Sequence, residues 1–126
     1  MPELADCVQI RGLRIVTYCG VLQQEQDQRQ PFRFDIDIYT DLRRAGATDE
    51  LDHTVNYGAV TDELVERLHE ERFLLVERMA QRASDLIMAN ELVDEVTVTV
   101  AKLRPPIAAD VDTTGVRIHR RRADAT

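Results

Sequence analysis

The chain reads as an α+β protein with the element order ββααββ. Three observations predict this. Phe32 to Tyr39 alternates apolar and polar residues throughout, and Glu95 to Ala101 does the same. Between them, apolar residues recur at helical spacing twice, from Tyr57 to Leu68 and from Val76 to Ile87. Two amphipathic helices laid on one face of a four-stranded, mostly antiparallel sheet would bury all of these stripes against each other. A chain of 126 residues is near the modal size for one domain and supports one core. Residues 1–126 are therefore read as a single domain, with its core over about 8–120 and a C-terminal tail over 121–126.

Val8 to Cys19 is the first strand, with Val8, Ile10, Ile15 and Val16 as core candidates and Gly12 marking a bulge. Gly20 ends it, and Val21 to Pro31 is a polar, Gln-rich connection, so the first two strands form a hairpin with a long loop. Phe32 to Tyr39 is the second strand. Asp41 to His53 is polar and contains Gly46, with Thr48-Asp49-Glu50 as a turn-like cluster. The first helix presents Tyr57, Val60, Leu64 and Leu68 on one face, and Thr54 or Asn56 is placed to cap it. It ends around Glu70-Glu71-Arg72. The second helix runs to about Asn90, with apolar residues at 76, 79, 80, 83, 86 and 87. Val96, Val98 and Val100 point inward from the third strand. After a Pro-containing loop over 104–113, Gly115 to Arg120 is the last strand, with Val116 and Ile118 inward. The opposite sheet face carries Arg33, Asp35, Asp37, Thr97 and Thr99, so it is wet or lines a water-filled space in an assembly.

With 23 acidic against 16 basic side chains, the formal net charge is −7. A phosphate-reading surface needs an excess of Lys and Arg, so nucleic acid is not an expected partner. The one basic cluster, His119-Arg120-Arg121-Arg122, reads as a solvated strand end running into a frayed tail. Cys7 and Cys19 have neither metal-ligand nor Cys-x-x-Cys spacing, and reduced cytosolic thiols are the default. No run has signal-peptide character, and none approaches the ~18 apolar residues of a membrane span. A soluble, cytoplasmic protein is expected. His53, His69 and His119 are scattered without metal-motif spacing, and no Gly-rich phosphate loop is present, so neither metal nor cofactor is expected.

Four residues could carry chemistry: Glu25, Tyr57, Glu77 and Lys102. Glu77 follows Phe73-Leu74-Leu75-Val76 at the start of the second helix, where backbone N–H groups and the dipole favour its ionised form. An ionised carboxylate offers two parallel acceptors, suited to a guanidinium or to the N3–H and 2-amino edge of a pterin or guanine. The competing reading is a helix-start glutamate that meets only the dipole. Lys102 sits at a strand end, as an exposed charge or as a proton carrier whose pKa burial lowers from about 10.4 toward neutrality. Tyr57 either stacks on a flat ligand and exchanges a proton or belongs to the core. Glu25, alone, is one of several polar loop residues.

Together these pieces resemble the dihydroneopterin aldolases and their relatives, the dihydroneopterin triphosphate epimerases. The resemblance runs from about Val8 to Arg120. It rests on Arg11-Gly12-Leu13, Gly20-Val21 followed by Glu25, Gln30-Pro31-Phe32 with Asp35, and Thr48-Asp49-Glu50-Leu51. It continues through Thr54-Val55-Asn56-Tyr57, Phe73-Leu74-Leu75-Val76-Glu77, and Lys102 followed by Pro105-Pro106-Ile107. Each piece is weak alone, and their shared order and spacing is specific.

The resemblance implies the tunnelling fold, with subunits assembled as tetrameric rings, often stacked as octamers, and active sites between neighbours. It implies that Glu77 holds the 2-amino and N3–H edge of the pterin. It also implies that Leu74, Leu75, Val76, Thr54 and Val55 line the pocket. Tyr57 would stack near the ring and help protonate an enol-like intermediate. Lys102, with Glu25 nearby, would move protons on the substrate side chain. The implied reaction is retro-aldol cleavage of 7,8-dihydroneopterin, with or without epimerisation at C2′. Two departures stand out. Lys102-Leu103 looks more like the epimerase branch, whereas Pro105-Pro106-Ile107 looks like the aldolase loop. Cys19 stands where many members carry a histidine, and is read as packing. A triphosphate substrate would want more cations than Arg104 and Lys102. A non-catalytic pterin binder would need Glu77 but neither Tyr57 nor Lys102, and an oligomeric scaffold would need none of the four.

Overall fold

The computed structural model describes residues 5–122. Its elements run β1 (Cys7–Cys19), α1 (Gln23–Asp27), β2 (Gln30–Tyr39), α2 (Arg43–Thr48), a 3-10 turn (Leu51–His53), α3 (Tyr57–Glu70), β3 (Arg72–Phe73), α4 (Val76–Met88), β4 (Glu95–Lys102) and β5 (Thr114–Arg121). The ββααββ order stands, with short elements added between. Among the described residues the sheet has five strands in the order β3-β1-β2-β4-β5, one more than expected. The extra strand, β3, pairs in parallel with the end of β1, Tyr18 to Arg72 and Cys19 to Phe73. All other pairings are antiparallel. Two residues are too few to show a period of two, so β3 left no mark in the sequence.

The alternation of β2 and β4 is used as predicted. Phe32, Phe34, Ile36 and Ile38 are fully buried, as are Val96, Val98 and Val100, and in-register pairing sets Phe34 beside Val100 and Ile36 beside Val98. Each such side chain contributes about 1.5–3 kcal/mol on leaving water. Arg33, Asp35, Asp37, Thr97 and Thr99 face the other way and are half-buried. The bulge expected at Gly12 is present. The β1–β2 register shifts between Ile10 and Leu13, Gly12 takes φ +70°, and its N–H donates to Asp35 Oδ1 at 2.8 Å.

Past that bulge the inward set is Ile15, Thr17 and Cys19, so Val16 points out and is 45% exposed, contrary to its expected core role. Adjacent strand residues face opposite sides, so 15 and 16 could not both be core. Val8 is only half-buried, while Ile10 is buried as expected.

The helices cover one face, α3 against β1 and α4 against β4 and β5. Leu64 and Leu68 are buried on α3; Met79, Ala80, Ala83 and Ile87 are buried on α4. The small side chains of Ala80 and Ala83 let α4 lie close to the sheet. Of the two cap candidates, Asn56 caps α3, its Oδ1 accepting from Ala59 N–H at 3.1 Å.

Three further expectations are corrected. The 21–31 connection contains α1, and 41–53 contains α2 and the 3-10 turn; none is long enough to show an apolar stripe. Asp49, within the expected turn cluster, ends α2 in the left-handed conformation at φ 61°. The C-terminal arginines are pinned rather than frayed. Arg121 belongs to β5, Arg120 donates to Gln81 Oε1 at 2.8 Å, and Arg122 donates to the carbonyls of Met88, the last residue of α4, and of Asn90 and Val93 in the connection after it. These carbonyls want donors, and a guanidinium has five. The rest of the expected tail, 123–126, lies outside the described residues.

Candidate active site

The end of β1, the end of β4, the short helix α1 and the start of α4 converge at one corner of the sheet. β4 delivers Lys102 there, in register with Phe32 of β2 and Thr114 of β5. Its ammonium donates to Glu25 Oε2 at 2.9 Å, and the two side chains are only 12% and 5% exposed. Glu25 is therefore no ordinary loop residue. Its Oε1 accepts from the Leu22 N–H at 3.4 Å, and Oε2 also accepts from Gln30 Nε2 at 3.4 Å. Burial pushes the Glu25 carboxyl up, but the Lys102 ammonium, the Leu22 N–H and the Gln30 amide together outweigh it and hold it below the ordinary value.

The chain reaches this arrangement through Gly20. Its backbone lies at φ +149°, and a Cβ there would sit 2.1 Å from Glu25 Cδ and Oε1. Only a residue without a side chain lets Glu25 fold back under Lys102. Gln26, the next residue of α1, donates to the carbonyls of Gly20 and Phe73, and the Gly20 N–H donates to Phe73 O at 3.1 Å. These bonds fix the stretch that follows, Leu74-Leu75-Val76-Glu77, beside the Glu25–Lys102 pair.

The result is a cavity of about 420 Å³ lined by Glu25, Lys102, Leu74, Leu75, Val76 and Glu77, with the Gly20–Leu22 turn and the Pro105–Ile107 loop closing its sides. Its rim is apolar and open: Val21, Leu22, Leu74, Leu75 and Ile107 are each at least two-fifths exposed. Glu77 is exposed at the first turn of α4, whose cap residue, Leu75, makes no side-chain cap bond. Cys19 is wholly buried behind this corner. Burial pushes its thiol up to about 11, with Lys102 opposing and Glu25 and Glu77 adding to the rise. Such a thiol stays protonated and inert, in keeping with a packing role.

Tyr57, Thr54 and Val55 lie elsewhere on the chain. They line a second cavity, about 380 Å³, with Val8, Leu42 and Leu51. Tyr57 is 65% exposed, so it is not core, whereas Val55 is buried. One chain thus brings together Glu25, Lys102, Glu77 and Leu74 to Val76, and keeps Tyr57, Thr54 and Val55 apart from them. Among the described residues, no cluster of three His, Cys, Asp or Glu side chains is placed to hold a metal ion, and no helix is long and apolar enough to cross a membrane. Sequence reasoning gave no role to Gln30 or Gln26. Polar side chains in a Gln-rich loop carry no periodic signal, and only the fold shows which carbonyl or carboxylate each one meets.

Comparison with known proteins agrees with this geometry. The family model described as FolB, dihydroneopterin aldolase, matches residues 8–119. The dihydroneopterin aldolase of Streptomyces coelicolor is 38% identical over 117 residues, covering 93% of this chain and 98% of its own. The crystal structure of FolB from Vibrio cholerae superposes with a TM-score of 0.86 at 32% identity, covering 94% of this chain and 98% of the other. That of Escherichia coli dihydroneopterin aldolase in complex with neopterin gives 0.83 at 31% identity, with 91% and 98% covered. The fold is the tunnelling fold of these enzymes, and the chain belongs to the dihydroneopterin aldolase family.

Proposed function

We propose that this protein cleaves 7,8-dihydroneopterin by a retro-aldol reaction to 6-hydroxymethyl-7,8-dihydropterin and glycolaldehyde. The observation that carries the reading is the buried Lys102–Glu25 pair on the floor of a cavity whose wall bears Glu77. Glu77 pairs with the N3–H and 2-amino edge of the ring, and Leu74, Leu75 and Val76 pack along it. With the ring held this way, its side chain extends toward Lys102. Lys102, held by Glu25, handles the proton of the 2′-hydroxyl. As that proton leaves, C2′ becomes the aldehyde carbon, the C1′–C2′ bond breaks, and its electrons pass into the C6=N5 imine. Protonation of C1′ then gives the hydroxymethyl product. The ring is its own electron sink, so the chemistry calls for positioning and general acid–base catalysis alone.

Tyr57, supplied by a neighbouring copy, protonates the enol-like intermediate, and Thr54 and Val55 come with it. One feature supports this. The Tyr57 cavity and the Lys102 cavity each carry an exposed apolar rim, with Leu51 and Tyr57 on one and Leu74, Leu75 and Ile107 on the other. Docking one rim on the other, head to tail, would cover both, and such a contact makes a ring when its rotation closes. The polar sheet face, where Arg11 pairs with Asp37 at 2.6 Å, would then line the water-filled interior of a tetramer or octamer.

The test is anaerobic incubation with 7,8-dihydroneopterin followed by chromatography of the pterins. 6-Hydroxymethyl-7,8-dihydropterin with one equivalent of glycolaldehyde is the expected outcome. The second reading, an epimerase, is favoured by Lys102-Leu103, and dihydromonapterin as sole product would establish it in place of the aldolase.

A further inference from the structure

The Glu25–Lys102 pair has a third member. Gln30 is the first residue of β2, paired with Thr17 of β1, and its amide nitrogen has two hydrogens. It donates one to the Cys19 carbonyl at 3.3 Å and the other to Glu25 Oε2 at 3.4 Å, the same oxygen that takes the Lys102 ammonium at 2.9 Å. The amide thus ties the carboxylate to the backbone of the first strand. Oε1 is tied separately, by the Leu22 N–H. A glutamate has three rotatable side-chain bonds, and here both its oxygens are fixed, Oε1 by the Leu22 N–H and Oε2 by Lys102 and Gln30. Lys102 has a long flexible stem, so the place of its ammonium depends on where Oε2 is held.

We infer that Gln30 is a positioning residue for the acid–base pair: it fixes Glu25 Oε2 so that Lys102 is presented to the substrate side chain. It touches no reacting atom in this arrangement, and acts through Glu25. The inference rests on the reading of Glu25 and Lys102 as the proton-handling pair. Other charged or titratable groups around Glu25 are Cys19 behind it, Glu77 across the cavity, and Arg29 and Arg104, which line with it a shallow cleft on its outer side. The hydrogen bonds to Glu25 come instead from Leu22 N–H, Lys102 and the amide of Gln30.

Gln30→Met keeps the length and removes both donors, and Gln30→Glu puts a second carboxylate against the first. The measurement is the pH profile of kcat/KM together with the split between kcat and KM. For Gln30→Met, kcat should fall about fivefold to tenfold with KM within about twofold, the ordinary worth of one hydrogen bond, because this one is long at 3.4 Å. The acid limb should move to higher pH, because Glu25 has lost a bond that favours its ionised form. It should move further in Gln30→Glu, where like charges oppose ionisation. An unmoved acid limb in both variants, or a loss confined to KM, overturns the inference. Glu25→Gln, run alongside, separates the two possible failures. Normal turnover in Glu25→Gln would remove the catalytic reading itself, whereas a dead Glu25→Gln with an unaffected Gln30→Met would remove only the role of Gln30.

Discussion

Lys102 and Tyr57 occupy opposite circumstances in the same fold. The Lys102 corner is built from four chain segments, and its carboxylate is held by three donors, with the Lys102 side chain 12% exposed. The Tyr57 corner is the first turn of one helix, and the ring stands 65% in solvent beside exposed Leu51. One corner is organised by its own chain, with polar groups that gain strength from burial. The other leaves an aromatic ring and a leucine side by side in solvent. On the proposed reading, the organised corner is the one that handles protons, and the exposed ring is the one a neighbouring copy brings to it.

The strongest way to break that comparison is to disable the Lys102 corner residue by residue and then to pair it with a chain that lacks Tyr57. Lys102→Ala should lose turnover by about 10²–10⁴, the usual worth of a general acid–base group, while isothermal titration still shows pterin binding. Glu77→Ala should do the reverse, losing binding first. Normal turnover in Lys102→Ala would sink the mechanism. Mixing is the sharper test. Lys102→Ala and Tyr57→Ala, each inactive alone, should regain up to about a quarter of the native activity after co-refolding, because a ring with shared sites reunites intact residues from two chains. No recovery in a mixture proven to contain mixed rings would place both residues in one chain's site.

Smaller effects probe the organised corner alone. Gly20→Ala drives a methyl into Glu25, and should cost about 1–3 kcal/mol in urea unfolding along with most of the activity. The linkage of Glu25 to stability has a fixed sign. Its carboxyl lies below the ordinary value in the folded chain, so its contribution is complete above the unfolded value near 4.5 and is lost as pH falls through the folded one. Urea midpoints recorded from pH 6 to pH 3 should therefore fall less steeply in Glu25→Gln than in the native chain. The smallest effect belongs to the other corner. Asn56→Ala removes the cap of α3, which should cost about 1 kcal/mol and loosen the turn carrying Tyr57.

The sequence showed β2, β4 and both long helices because each buries a periodic face, and period is a local property. It showed the bulge at Gly12 because a glycine within a strand has few other uses. It failed for Val16, where two neighbouring apolar residues competed for one inward position. It also failed for α1, whose worth lies in two side chains, Glu25 and Gln26, that reach segments far along the chain. Resemblance to a family pointed to Glu25, Glu77, Lys102 and Tyr57. It gave no hint that Glu25 is buried or that Gly20 must lack a side chain to admit it, since Glu25 folds back on that turn to meet Lys102, 77 residues away.

Cys19 gives this corner a built-in gauge. Its thiol is sealed and held in the unreactive form, whereas Cys7 at the start of β1 is partly accessible. An alkylating reagent should mark Cys7 promptly and Cys19 only during moments when the corner opens. In a Cys7→Ser background the labelling rate of Cys19 then reads the opening equilibrium directly, without a fluorophore or an assay of turnover. A ligand that closes over Lys102 should slow that labelling in proportion to its occupancy, which turns a packing residue into a reporter of binding.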